Sequence, residues 1–240
     1  MFEKLFDKYD CLLFFDTETT GLSPKDDNII ELAGKAFYKE GVLKNTDKTE
    51  FHMDSFIRLP DGKRVPDNIV ELTRISDEVL NEHGEDAVDV FDKFYRLSGK
   101  DTKTLLIAHN AQFDISFMMY SPIADRIRDC DYLDTYTIAR DRKGGRHKLG
   151  MLIDYYSVPN VQNSHRAIDD VNALVGVADA MYNERRDFDK YINVFGYYSK
   201  YGEPAHVNEK VTYHAQIVGA KGPGEILPEL AKMEQQLSFT

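Results

Sequence analysis

Three short stretches of the chain hold the residue types that could do hydrolytic chemistry. In the first, Asp16 and Glu18 stand two apart just beyond the apolar run Cys11–Phe15. Residues two apart in an extended backbone face the same side, so the two carboxylates project together. No Lys or Arg lies between them. Two carboxylates held close in partial burial repel, and one is protonated unless a cation sits between them. Hard oxygen ligands of this kind suit Mg²⁺ or Mn²⁺. A bare D-x-E could be a pair of solvated acids in a turn. The Thr19-Thr20-Gly21-Leu22 that follows favours a site, because hydroxyls and a glycine turn suit the close approach of a ligand.

The second stretch, Ala108-His109-Asn110-Ala111-Gln112-Phe113-Asp114, begins where a buried strand gives way to a helix and so puts Asp114 in a first helical turn. A purely local account also stands: Asn110 as the helix cap and Asp114 favouring the positive helix end. The third is His165-Arg166-Ala167-Ile168-Asp169-Asp170. Residues five apart on a helix diverge by about 140°, so His165 and Asp170 share a site only if His165 precedes the helix. Asn163-Ser164 supplies a loop and cap there, and Asp169 reads as the solvent-facing neighbour of Asp170. Four carboxylates and an imidazole at strand ends and helix starts are the inventory of a two-metal phosphodiesterase.

The elements that must position them alternate between strand and helix signals, which indicates an α/β chain. Cys11–Phe15 reads as a central strand, and Ile29–Tyr38 and Glu50–Leu59 as strands joined to it too closely for crossover helices, hence antiparallel. Helices are expected at Asp67–Asn81, Ala87–Leu97, Gln112–Tyr120, Lys148–Tyr156 and Ala167–Glu184, with a further buried strand at Thr104–Ala108. After Glu184 the texture changes: strands are expected at Tyr191–Tyr198 and Lys210–Val218, a Gly-Pro-Gly turn at Gly222–Gly224 and a short helix at Leu227–Leu237. This divides the chain into a catalytic domain over residues 1–185 and an aromatic-rich extension over 186–240. The extension's eight Phe or Tyr residues could stack on bases or pack the extension onto the core. The five Lys or Arg residues of Arg140–Lys148 form either a solvated loop or a phosphate-tracking one.

A formal charge of −11 argues against coating nucleic acid by bulk electrostatics, but not against handling one strand end. Apolar runs are too short for a membrane span, the N-terminus has no secretory h-region, and Cys11 and Cys130 read as thiols of a reducing cytosol. A cytoplasmic protein is expected, with its oligomeric state open.

Together the three stretches resemble the motifs of the DnaQ-like 3′→5′ exonucleases of the DEDDh subclass, within the ribonuclease-H-like superfamily that includes polymerase proofreading subunits. F-D-T-E-T-T-G-L, H-N-A-Q-F-D and H-R-A-I-D-D match in order. So do Leu72-Thr73-Arg74-Ile75-Ser76, Leu133-Asp134-Thr135 and His147-Lys148-Leu149, over roughly residues 10–183. Arg74 departs from the glycine of many relatives. The resemblance implies a mixed sheet of three antiparallel strands followed by parallel ones, flanked by helices, with a small C-terminal appendage. It implies two Mg²⁺ ions, replaceable by Mn²⁺, held by Asp16, Glu18, Asp114 and Asp170, with His165 as general base. It places Thr17, Thr19, Thr20, Gly21, Leu22, Thr73, His109, Asn110 and Phe113 near the terminal nucleotide, although Phe113 reads equally well as a core anchor. The expected activity is release of nucleoside 5′-monophosphates from single-stranded 3′ ends, DNA favoured, with RNA 3′-end trimming as the alternative. A weaker alternative is an accessory that acts mainly by binding a partner. The chain has no polymerase motif, so a DNA polymerase or other replication or repair protein is expected as a separate partner.

Overall fold

The apolar run that begins at Cys11 continues into a nine-residue strand, β1 (Cys11–Thr19), so Asp16 and Glu18 lie within the strand and not beyond it. The computed structural model describes residues 1–43, 46–99, 101–161 and 164–216. Strands β2 (Ile29–Tyr38) and β3 (Glu50–Phe56) add antiparallel on one side of β1. Strands β4 (Thr104–Ala108) and β5 (Asp131–Asp134) add parallel on the other, giving the order β3-β2-β1-β4-β5. This is the mixed, helix-flanked sheet that the sequence leads one to expect.

Strand alternation divides the core in two. Leu12 and Phe14 face one cluster, which includes Ala167, Val171, Leu174 and Ala178 of the long helix α9 (Ala167–Glu184) and Phe2 and Leu5 from the short helix α1 (Glu3–Phe6). Leu13 and Phe15 face a second cluster with Val90, Phe91 and Phe94 of α4 (Ala87–Leu97) and Ala111 and Ile115 of α5 (Ala111–Met118). β1 is therefore covered on both faces over Cys11–Phe15, as that unbroken apolar run requires.

Several expected elements are corrected. Asp67–Asn81 is not one helix but two, α2 (Asp67–Thr73) and α3 (Asp77–His83). Arg74 ends the first at φ 63°, a left-handed conformation that glycine adopts without strain. The Ser76 hydroxyl starts the second by accepting from the Val79 N–H at 3.4 Å. The strand from Glu50 ends at Phe56, because Ile57 turns to bridge with Glu85. Helix α6 (Ala124–Asp129), β5 and α7 (Thr135–Lys143) give no clear periodic signal and are additions to the sequence reading.

The basic run is not a single loop. Arg140–Lys143 closes α7, and Arg142 is buried, donating to the carbonyls of Met181 at 2.7 Å and Arg185 at 2.9 Å and to Asp187. Lys143 pairs with Glu184 at 2.8 Å. These cations pin α7 to the C-terminal end of α9; within the run Arg146 and Lys148 are the exposed ones. Helix α8 (Leu149–Tyr156) follows, one residue short of its expected start.

Beyond Arg185, a 3₁₀ turn at Phe188–Lys190 precedes β6 (Val194–Tyr198) and β7 (Thr212–Gln216), which pair in parallel. The start of β6 waits for Asn193, at φ 58°, which clasps Tyr132 of β5 through N–H to carbonyl and Oδ1 to N–H contacts of 2.8 Å each. Phe188, Tyr191 and Val194 enter the α9-side cluster, and Phe195 and Val211 the other. Asn163, the end of the Lys210–Val218 strand, the Gly222–Gly224 turn, the Leu227–Leu237 helix and Phe239 lie outside the described residues. Cys11 and Cys130 are free thiols, and no described helix is long and apolar enough to cross a membrane.

Asp134, at the end of β5, joins two helix starts. Its Oδ1 accepts the N–H groups of Asn110, Ala111 and Tyr136 at 2.8, 3.2 and 3.0 Å, and its Oδ2 accepts the Thr137 N–H and hydroxyl at 3.1 and 2.5 Å. Asp134, and not Asn110, therefore caps α5 as well as α7; Asn110 makes no side-chain cap bond. Asp134→Ala leaves these donors without a partner in a buried place and is expected to cost about 2–4 kcal/mol of stability, read by urea unfolding. A loss under about 0.5 kcal/mol, typical of exposed surface changes, would show that this cap is dispensable.

Candidate active site

The site follows from the two-faced environment of β1. Asp16 and Glu18 continue the face of Leu12 and Phe14, toward α9, whose first turn carries the buried Asp170. His165 sits in the bend before α9, at φ 55°, as a shared site with Asp170 requires. Glu18, His165 and Asp170 each offer a ligand atom, and these atoms lie within 4.8 Å of one another. Asp169 is exposed, so the neighbour choice falls on Asp170. Thr17 continues the opposite face, toward α5, where its N–H and hydroxyl both donate to Asp114 Oδ1 at 3.1 and 2.7 Å. Two helices on opposite faces thus deliver Asp170 and Asp114 to the carboxyl end of one strand.

The bend that carries His165 is held on both sides. Arg166 is the hinge pin: its Nε and a terminal nitrogen reach Glu31 Oε1 at 3.0 and 2.8 Å, and Glu31 Oε2 accepts the Ala167 N–H at 2.9 Å. Glu31 is fully buried on β2, directly opposite Glu18 in the ladder. On the other side Ser164 donates to Asp169 at 2.6 Å. Glu31 is a residue that reading the motifs misses. Its signal was present, as the lone acid within the apolar Ile29–Ala33. Asp134 stands in the matched Leu133-Asp134-Thr135, but its capping role is visible only in the structure.

The electrostatics match a crowded acid cluster. Burial, then the neighbouring Asp114, Glu18 and Asp170, push the Asp16 carboxyl well above the usual range. Burial first, then Asp170, Glu31 and Asp114, push Glu18 up to about 8, against a small opposing effect of Arg166. Burial pushes Asp114 up to about 7, although the Thr17 hydrogen bonds act the other way.

A cavity of about 830 Å³ opens onto the cluster, lined by Asp16, Thr17, Glu18, Asp114, His165 and Asp170. Among the expected substrate contacts, Leu22, His109, Asn110 and Phe113 also line it, and Leu22 is 84% exposed at its edge. Phe113 both lines the cavity and packs on Phe117, with ring centroids 5.0 Å apart. The His109 nitrogens are engaged elsewhere: Nε2 meets the His147 carbonyl at 2.8 Å and Nδ1 the Thr135 hydroxyl at 2.9 Å. A carbonyl only accepts, so Nε2 carries the proton; burial also favours the neutral ring, and neither nitrogen is left over for a ligand.

Thr19, Thr20, Gly21 and Thr73 do not line the cavity. The Thr19 hydroxyl donates to the Gly21 carbonyl at 2.7 Å, and Thr20 accepts the Asn28 N–H at 2.9 Å, so both shape the turn after β1. At Gly21 a Cβ would stand 2.4 Å from the Asp27 carboxylate, which accepts the Ser23 N–H at 2.9 Å and would have to shift. Thr73 is buried and closes α2 through the Ile69 carbonyl and the Ile75 N–H, at 2.9 and 3.1 Å.

Known proteins share parts of this sequence and this fold. The exonuclease family model RNase_T matches residues 13–178. The DNA polymerase III PolC-type of Clostridium perfringens is 31% identical over 192 residues, covering 77% of this chain but only 12% of that protein. The chain therefore spans a small part of the curated relatives it matches. Among solved structures, E. coli exonuclease I in complex with a dA16 oligonucleotide is similar at TM-score 0.60 and 18% identity, over 76% of this chain and 42% of that one. The nuclease domain of 3′hExo, a DEDDh family member bound to rAMP, is similar at TM-score 0.58 and 16% identity, over 74% and 94%.

The raised Glu18 carboxyl has a consequence for stability. The folded protein retains a proton up to about pH 8 that an ordinary glutamate in the unfolded chain, near pKa 4.5, has released. Folding then binds protons across that window, so stability of the metal-free protein should fall as pH rises from about 4.5 to about 8. Glu18→Gln, which stays neutral, should flatten the fall in thermal melts taken across this range. A parent whose melting temperature rises through the window would contradict the crowded-acid picture.

Proposed function

The chain belongs to the exonuclease family that the RNase_T model describes, and on that footing we propose that it removes nucleoside 5′-monophosphates from the 3′ ends of single-stranded DNA. The observation that carries the reading is the convergence of Glu18, His165 and Asp170 beside Asp16 and Asp114 at the mouth of one cavity. A non-catalytic strand binder has no use for a set of mutually repelling acids.

The donor set fits divalent metal. It is all carboxylate oxygen plus one imidazole, in a place where burial alone would leave several acids protonated. Asp16, Glu18, Asp114 and Asp170 would hold two Mg²⁺ ions, with Mn²⁺ able to replace them. When bound, such ions draw charge from the phosphate oxygens and lower the pKa of water.

The chain's own residues supply the remaining steps. His165 takes the proton of the attacking water, and among the described residues its imidazole makes no hydrogen bond that would occupy it. As the water oxygen bonds to phosphorus, the bond from phosphorus to the 3′ oxygen of the preceding nucleotide breaks. That oxygen leaves with a proton from solvent, giving a strand one nucleotide shorter and a 5′-monophosphate. Leu22 at the cavity edge, with Asn110, Phe113 and the ring of His109, holds the terminal nucleotide. Glu31 and Arg166 act through position, by fixing the bend that aims His165.

DNA is favoured because the curated relative is a DNA polymerase, and a DNA polymerase is the partner class such an activity would serve. RNA is the second reading, supported by the neighbour that holds rAMP. Digestion of 5′-labelled single-stranded DNA and RNA, side by side, decides between them.

Two outcomes are expected. EDTA should abolish cleavage and Mg²⁺ or Mn²⁺ restore it, with a descending ladder from a 5′-labelled strand; early release of the labelled 5′ nucleotide from intact strand would reverse the polarity. His165→Ala should lower turnover about 10²- to 10⁴-fold while Mg²⁺ still raises the melting temperature. Loss of that metal response in the variant would instead make His165 a ligand.

A further inference from the structure

The cavity has a second wall, opposite the acids in composition as well as in sequence. Tyr197, Tyr198, Tyr201 and Pro204 line it, and all lie beyond the residues that the family model matches. Their rings continue a ladder that starts inside the fold. The Arg140 guanidinium lies between Tyr136 and Tyr198, 4.4 and 4.6 Å from the two ring centroids, and Tyr201 meets Tyr198 edge-on at 6.3 Å. The ladder is anchored: Arg140 donates to the Gly196 carbonyl, and the Tyr198 hydroxyl to that of Gly145 at 2.9 Å.

Its outer rung is different from the rest. Tyr201 is 68% exposed and, unlike the equally exposed Tyr120, stands on the cavity that the acids share. Two cations attend it in a chain of net charge −11: Lys200, with its ammonium 4.5 Å from the ring centroid, and Arg146, which donates to the Tyr201 hydroxyl at 3.2 Å. Lys148 is a further cation and lines the cavity itself. Exposed aromatic faces with cations beside them are how proteins hold single-stranded nucleic acid without reading its sequence, since every base has a π-face and every step a phosphate. A strand whose 3′ end lies among the acids has its next nucleotides in this cavity.

We propose that Tyr201, backed by Tyr198 and flanked by Arg146 and Lys200, is a stacking platform for the bases upstream of the scissile phosphate. The inference rests on the exonuclease reading and deepens it, making the segment after Arg185 part of the substrate channel and the preferred substrate a single strand of several nucleotides.

Two substrates separate this platform from the chemistry. The p-nitrophenyl ester of thymidine 5′-monophosphate presents one nucleotide and no upstream base; a 5′-labelled thymidine octanucleotide presents both. Tyr201→Ala should raise KM for the octanucleotide about 5- to 150-fold, the loss of one base–aromatic stack, and leave both constants for the ester unchanged. Tyr201→Phe should behave as the parent. An unchanged octanucleotide KM in Tyr201→Ala, or equal loss on both substrates, would overturn the platform while leaving the nuclease intact. A parent that cleaves neither substrate would overturn the exonuclease reading itself, and the platform with it.

Discussion

Like charges crowded at the end of β1 set the terms for the rest of the molecule. At about 4 Å and an effective dielectric of about 20, a pair of like charges repels by about 4 kcal/mol. Asp16, Glu18, Asp114 and Asp170 meet at that end, where burial first, and for Asp16 and Glu18 the neighbouring acids second, pushes the first three carboxyl groups up. A flexible scaffold would relieve the repulsion by letting the acids drift apart. This one does not, because β1 is sealed on both faces by apolar side chains that cannot shift without opening the core. The metal-free protein relieves the crowding by retaining protons, which bound cations would displace.

Holding the acids in place takes groups that do no chemistry. Glu31 and Arg166 form a forked ion pair, and Glu31 also receives the first N–H of α9. A fully buried carboxylate is tolerable only when its oxygens are satisfied in this way. Thr17 holds Asp114 by two bonds to one oxygen, and Asp134 starts both α5 and α7. Each of these ties a catalytic segment to a strand of the sheet, so the site inherits the rigidity of the sheet and not the mobility of its loops.

The same economy governs the basic residues. Arg142 and Lys143 are spent on joining α7 to the end of α9, and Arg140 on supporting β6. Few cations of that run remain at the surface: Lys148 lines the cavity, and Arg146 meets Tyr201, as does Lys200 from outside the run. An acidic chain thus keeps a local positive field where a phosphate backbone would run, while its overall charge repels nucleic acid elsewhere.

The sequence by itself determined which residue types stand where chemistry could be done. Asp16 and Glu18 two apart, Asp114 at a helix start, and His165 five before Asp170 are local patterns, and strand and helix periods translate them directly into direction. It also determined the antiparallel direction of β2 and β3, because short connections force antiparallel neighbours. What only the tertiary structure decided were contacts between residues distant in the chain. Glu31 reaches Arg166 across 135 positions, and Thr19, Thr20 and Thr73 turn inward to shape turns and not toward the cavity. The basic run proved half structural for the same reason: its partners, Met181, Glu184 and Asp187, lie some 40 residues away. A side chain's type and spacing fix what it can do, but which partner satisfies it depends on which elements the packed core brings within 3 Å.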